Sequence, residues 1–169
     1  LNNAAIAAHW LTGQGCSVAI VDVDYHHGNG TQAIFYDQAD ILFCSIHADP
    51  DHEYPFYCGY AEERGAGAGH GFTHNIPLPS GTDGPAYLAV VQQAIAVVRR
   101  FKPDVLLISL GVDTAVNDPN GGFLLTAEDF AQMGQALAAL DVPTLIVQEG
   151  GYVLAVSYTH LRAHETKAN

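Results

Sequence analysis

Four short runs rich in Val, Ile and Leu constrain this chain more than any other feature: residues 16–24, 40–47, 104–113 and 142–151. Each is continuously apolar rather than alternating, the pattern of a strand covered on both faces, as in a parallel sheet. Helical patterns lie between them. "AYLAVVQQAIAVVRRF" sets Leu88, Val91, Ile95 and Val98 on one stripe, and "TAEDFAQMGQALAAL" does the same with Phe130, Met133, Leu137 and Leu140. Thr126 followed by Asp129 has the spacing of a capping box. Strands alternating with helices predict an α/β fold of three layers, a parallel sheet with helices on both faces. The 169 residues suffice for one domain with a real core, since a domain of about 150 residues buries roughly 70% of its unfolded surface.

Polar residues gather where these strands end, the place at which open α/β sheets bind ligands. Asp22, Asp24 and His26 end the first run, Ser45 and His47 the second, Asp113 the third, and Glu149 to Tyr152 the fourth. Residues two apart on a strand share a face, so Asp22, Asp24 and His26 should project together while His27 points away. Asp24, His26 and Asp113 would then make a three-ligand set of the kind that holds catalytic zinc and leaves a fourth position to water. Two carboxylates offset the ion's charge, so the bound water is acidified less than in an all-imidazole site. A histidine acting as general base is expected nearby. Taken singly, each of these residues reads as a cap or a loop hydrogen bond; the combination points to a metal. "GNG" reads as a turn into a helix starting near Thr31, and "QEGGY" needs its glycines where the chain passes close to the site.

Composition narrows the partners. Asp plus Glu number 18 against 6 Lys plus Arg, a formal net charge of -12, which argues against a nucleic-acid partner and suits cationic or neutral ligands. Cys16, Cys44 and Cys58 show no C-x-x-C spacing and read as buried, reduced thiols. No apolar run reaches the roughly 18 residues of a membrane span, and a cytoplasmic protein is the expectation. Residues 48–79, with "EYPFYCGY" and "ERGAGAGHGF", read as one long functional loop whose Tyr54, Phe56, Tyr57 and Tyr60 want something to pack on. The opening "LNNAAIAAHWL" reads as a helix entered without a cap. Residues 157–169 are polar and out of keeping with the rest, which suggests a foreign or disordered tail.

The motifs "LNNAA", "DVDYHHGNGTQAIFY", "SIHADP", "YPFYCGYAEERGAGAGHG", "NIPLPSGT", "SLGVDTAVNDP" and "QEGGY" together resemble the zinc-dependent histone deacetylase superfamily, in its acetylpolyamine amidohydrolase and class II-like bacterial branch. The resemblance runs from Leu1 to Tyr152. It implies an arginase/deacetylase-like fold, incomplete here, with residues 1–156 as part of one domain. It implies zinc on Asp24, His26 and Asp113, and Tyr152 as the catalytic tyrosine whose hydroxyl holds the oxyanion. It also implies a structural potassium ion at Asp22, Ser45 and Ile46 with the Asp24 and His26 carbonyls. Asp22 and His27 would stand behind the zinc ligands, and Phe56, Tyr57 and Gly151 would line the substrate channel. Asn29 stands where some class I members carry Asp. The family's tandem histidine pair, its general base and acid, precedes the "LNN" motif, and its last segments follow the Gly-Gly-Tyr turn; this chain carries neither.

The implied activity is removal of an acyl group from an amine, either a small acylated amine such as an acetylpolyamine or acetyl-lysine in a protein, and a homodimer could wall off the mouth. Two rivals stand beside it. One is a two-manganese ureohydrolase-like enzyme; the other is a non-catalytic module that binds an acylated ligand on the same fold.

Overall fold

The computed structural model describes residues 1–152; the domain boundary expected at residue 156 and the tail over 157–169 lie outside them. Five strands, β1 Val18–Asp22, β2 Ile41–Ala48, β3 Thr73–Leu78, β4 Val105–Leu110 and β5 Thr144–Gln148, form one sheet in the order β3-β2-β1-β4-β5. All four pairings are parallel.

Alternation along the strands feeds two cores. Val18, Ile20, Ile41, Phe43 and Leu107 meet Ala4, Ala5 and Ala8 of α1 (Asn3–Gly13) and Phe35 of α2 (Asn29–Phe35). Ala19, Val21, Leu42, Cys44, Leu106 and Ile108 meet α3 (Gly84–Phe101) and α4 (Ala127–Ala138) on the other face. The expected three layers are therefore present. On α3 the stripe is wider than Leu88, Val91, Ile95 and Val98: Tyr87, Val90 and Ala94 are also buried, while Leu88 packs at its margin. The Thr126–Asp129 capping box opens α4 with both reciprocal bonds made.

Three expectations change. First, β3 lies inside the stretch read as loop. His74, Asn75 and Pro77 interrupt its apolar run, and as an edge strand it tolerates the proline. Second, α1 does have a cap: the Asn2 side chain accepts the Ala5 N–H at 2.8 Å and donates to Thr31 Oγ1 at 2.9 Å, tying α1 to α2. Third, β5 is a parallel strand but not a buried one. It forms the other edge, and Leu145 and Ile146 are 41% and 59% exposed.

No helix among the described residues is long and apolar enough to cross a membrane. The thiol of Cys44 is buried as expected, whereas Cys16 and Cys58 are only half-buried.

Ile95 is fully packed between α3 and the sheet, so Ile95→Ala is expected to lower the unfolding free energy by about 2–4 kcal/mol. Loss of the α4 cap in Thr126→Ala should cost about 1 kcal/mol. Urea denaturation separates the two; equal losses would mean that the α3 core is looser than its burial indicates.

Candidate metal centre and cavity

In the order 3-2-1-4-5 the chain leaves β1 toward opposite sides for its two neighbours, and a crevice opens at the carboxyl ends of β1 and β4. Asp22 ends β1 there. The strand stops at Asp22, two residues short of the expected end, so the convergence of Asp24 and His26 is not made by the pleat. Carboxylates make it instead. The Asp24 N–H donates to Asp22 Oδ1 at 3.1 Å, and the His26 N–H donates to Asp24 Oδ1 at 2.9 Å. Each aspartate takes the N–H two residues on, the local bonding that turns a chain off a sheet.

Asp113 joins from the segment after β4. Its Oδ1 accepts the Tyr25 N–H at 3.0 Å, and its Oδ2 faces His26 Nδ1 at 3.1 Å. The same ring nitrogen lies 3.4 Å from Asp24 Oδ1. Asp24, His26 and Asp113 thus bring one ligand atom each within 4.8 Å of one another, a possible metal-binding group. The set is the one expected from sequence spacing.

Glycines make room for it. A Cβ on Gly111 would sit 2.2 Å from Asp24 Oδ2, and one on Gly150 would sit 2.4 Å from Asp113 Oδ2 and 2.6 Å from Asp24 Oδ2. The Gly150 N–H donates to Asp24 Oδ2 at 2.8 Å. Gly28 is pressed against the buried Asp22 in the same way, with its Cβ position 2.3 Å from Oδ2.

The field here is strongly negative. Hydrogen bonding to Asp113 and then to Asp24 raises His26 to about 10. Burial lifts Asp22 well above the usual carboxylate range, with Asp24 adding to it. Burial also lifts Asp113 and Glu149, each helped by the Asp24 charge. Burial works the same way on Asp24, but the His26 and Gly150 bonds outweigh it and hold that carboxyl low. Such a cluster favours a cation.

The cluster opens into a cavity of about 1240 Å³ whose wall includes Glu53, Tyr54, Glu149 and Tyr152. Tyr152 is held by its N–H, which donates to Asp118 Oδ2 at 2.8 Å, and the residue is 52% exposed. Phe56, Tyr57 and Gly151, expected along the channel, are not part of this wall. Tyr54 stands there instead, edge-on to His26 at 6.3 Å, with Phe56 and Tyr57 following outward as a chain of rings. Nor do these aromatics pack as their sequence suggests: Tyr57 is 78% exposed and Tyr54 63%.

Asp22 and Ser45 are register partners on β1 and β2, whereas the Ile46 side chain belongs to the α3 core and could offer only its backbone to an ion. His27 turns away from His26, as the residue order predicts, into a buried relay. His47 Nε2 faces Gly59 O at 2.9 Å, Ser45 Oγ lies 2.8 Å from His47 Nδ1, and His27 Nδ1 lies 3.3 Å from Ser45 Oγ. Burial pushes His27 down to about 3 and His47 to about 4.

Sequence reasoning missed Gly111, Tyr54, Glu53 and this relay. Gly111 sits in the quoted "SLGVD" stretch, so a glycine directly after a strand was the available signal. The relay has only a partial one, the Ser45 and His47 pair on β2, because His27 and Gly59 reach it from other segments.

The family model described as the histone deacetylase domain matches residues 1–168. The chain is 51% identical over 154 residues to acetylpolyamine amidohydrolase 2 of Pseudomonas aeruginosa, covering 90% of this chain and 45% of the relative. It is 46% identical to the acetylpolyamine amidohydrolase of Mycoplana ramosa, with the same coverage of 90% and 45%. Its fold superimposes on the acetylpolyamine aminohydrolase of Burkholderia pseudomallei with a TM-score of 0.88 at 46% identity, covering 90% of this chain and 45% of that one. A histone deacetylase homologue from Aquifex aeolicus gives 0.87 at 31% identity, covering 90% and 41%. The chain spans about half the length of the curated relatives it matches.

Gly150→Ala drives a methyl group into both carboxylates, so divalent-cation affinity at this cluster should fall about 10- to 100-fold with secondary structure intact. Isothermal titration with zinc measures it. In the relay, both folded-state histidines bind protons less readily than free histidine, so their contribution to stability is present above about pH 6.5 and is lost as pH falls toward their folded values. Imidazole ¹⁵N NMR at about pH 5.5 should find both rings neutral. A His47 that titrates near the free-histidine value would contradict the relay.

Proposed function

The chain belongs to the histone deacetylase domain family, and from that premise we propose that its protein hydrolyses N-acyl amines, releasing the acid and a protonated amine, with acetylpolyamines as the substrate class. The observation that carries this reading is the convergence of Asp24, His26 and Asp113 on one point of a cavity that Tyr152 also lines. Two carboxylates and one imidazole are a donor set that zinc accepts, and Gly111 and Gly150 leave the space beside them clear of side chains. Zinc on these residues would supply a Lewis acid for the acyl carbonyl and a water of lowered pKa.

The rest falls to the chain itself. Asp113, bonded through its other oxygen to the Tyr25 N–H, fixes the turn that carries His26. Tyr152, anchored through Asp118, donates a hydrogen bond from its hydroxyl to the oxygen that becomes negative as the carbonyl turns tetrahedral. Burial, with Asp113 and Asp24 adding to it, raises the Tyr152 phenol above its ordinary value, which keeps it a donor. Tyr54 and Glu53 form the nearby wall, one supplying an apolar edge and the other a carboxylate for an ammonium group. Proton transfer belongs, in the family, to the histidine pair upstream of the "LNN" motif. Residues 1–156 are read as part of one such domain, with a potassium ion at Asp22, Ser45 and Ile46.

Acidic walls and a net charge of -12 support a cationic amine over a neutral one. The names of the relatives above point the same way.

The test is acetate release by the full-length protein from acetylputrescine and from an acetyl-lysine peptide, with and without a zinc chelator. Chelator-sensitive release that favours acetylputrescine is expected. Tyr152→Phe should lower kcat by roughly 10²- to 10³-fold with little change in KM. Release unaffected by Asp113→Ala would sink the proposal, and preference for the peptide would move the substrate class to acetyl-lysine.

A further inference from the structure

A second group of ligand atoms within 4.8 Å of one another is formed by His27, Cys58 and Glu63. His27 follows His26 in the turn after β1, while Cys58 and Glu63 belong to the segment between β2 and β3. The buried relay determines which proton His27 carries. Gly59 O only accepts, so His47 must donate from Nε2, and its neutral Nδ1 must accept. The single Ser45 hydroxyl proton therefore goes to His47, and Ser45 Oγ takes its other bond from His27 Nδ1–H. His27 Nε2 is left as a bare lone pair. The residue is 4% exposed, and among the described residues Nε2 completes no hydrogen bond of good geometry, although the Gln32 side chain lies close enough to influence the ring. An unpaired acceptor this deep is costly unless something takes it.

The neighbours of that lone pair are a sulfur and a carboxylate. Cys58 Sγ lies 3.8 Å from Glu63 Oε2. Glu63 is fixed by the Gly59 and Tyr60 N–H groups at 3.0–3.2 Å. The Gln32 amide nitrogen donates to Glu63 Oε2 and lies 3.7 Å from Cys58 Sγ, placing the positive end of a dipole between the two. Gly59 has no side chain to intervene, since a Cβ there would come within 2.8 Å of the His27 ring.

We infer that His27 Nε2, Cys58 Sγ and Glu63 Oε2 form a second metal site, selective for a thiophilic divalent cation such as zinc. A nitrogen, a thiolate sulfur and a carboxylate oxygen form a zinc donor set, with water completing a tetrahedron. The ion takes the place of the Gln32 amide on Glu63 and satisfies the bare His27 lone pair. It ties the segment that carries Tyr54, Phe56 and Tyr57 to the turn that carries His26. This site goes beyond the proposed hydrolysis and does not depend on it.

Cobalt distinguishes the two clusters, because only the second contains sulfur. The full-length protein, freed of metal by chelation, is titrated with Co²⁺ and followed by absorption. A near-ultraviolet thiolate-to-cobalt charge-transfer band should grow with a second equivalent of metal. It should vanish in Cys58→Ser with that equivalent, and persist in Cys16→Ser. No band at saturating cobalt, or a band that survives Cys58→Ser, overturns the inference. Should Cys58→Ser fail to fold, the wild-type protein decides: zinc should slow alkylation of Cys58, mapped by peptide mass spectrometry, by about tenfold or more. An unchanged alkylation rate overturns the site as well.

Discussion

The Asp113 carboxylate is the bond on which the rim of this sheet depends. One oxygen holds the Tyr25 N–H and the other faces the His26 ring, so a residue that follows β4 fixes the conformation of the turn that follows β1. Adjacent parallel strands diverge where the order reverses; the Val23 N–H still reaches Ser109 O on β4 at 2.9 Å, and the N–H groups of the next three residues turn to carboxylates instead. Asp22, Asp24 and Asp113 each take one of them. The carboxylates that end the strand are the same ones that gather around His26, so local backbone bonding and the assembly of the cluster are a single event.

That solution concentrates negative charge in a buried place. Burial raises Asp22, Asp113 and Glu149, and of these four only Asp24, bonded by His26 and Gly150, is held below the ordinary range. Replacing any of the three pressing glycines would widen the cluster at the cost of its contacts, because the positions of their absent side chains coincide with carboxylate oxygens. Close approach is therefore required to satisfy the backbone, and it is also what makes the cluster attract a cation.

What could be read from the sequence follows from this. The meeting of Asp24, His26 and Asp113, the α/β class, both helix stripes and the α4 cap are legible, because each is written in spacing within one element or in residue types at strand ends. The turn at Asp24 was misassigned to the pleat, since period-2 spacing and a side-chain-to-backbone turn both bring alternate residues together. β3 was hidden by His74, Asn75 and Pro77, which an edge strand tolerates and a central one would not. Burial of β5 was inferred from its composition, but exposure depends on what packs against an edge, which composition does not carry. Tyr54 was grouped with Phe56 and Tyr57 as one aromatic loop; only the backbone path separates the ring beside His26 from those further out.

The two adjacent histidines show why such separations escape a linear reading. His26 and His27 are the same residue type, one position apart, and their chemistry diverges completely. The first is drawn toward protonation by two carboxylates, and the second is kept neutral by burial beside His47. The turn imposed by Asp22 and Asp24 brings the His26 ring to Asp113 and buries the His27 ring against Ser45 and His47. Each ring then takes its state from partners on other elements: Asp113 after β4 for His26, and Ser45 on β2 for His27. The proton count of each histidine thus depends on which strands are neighbours.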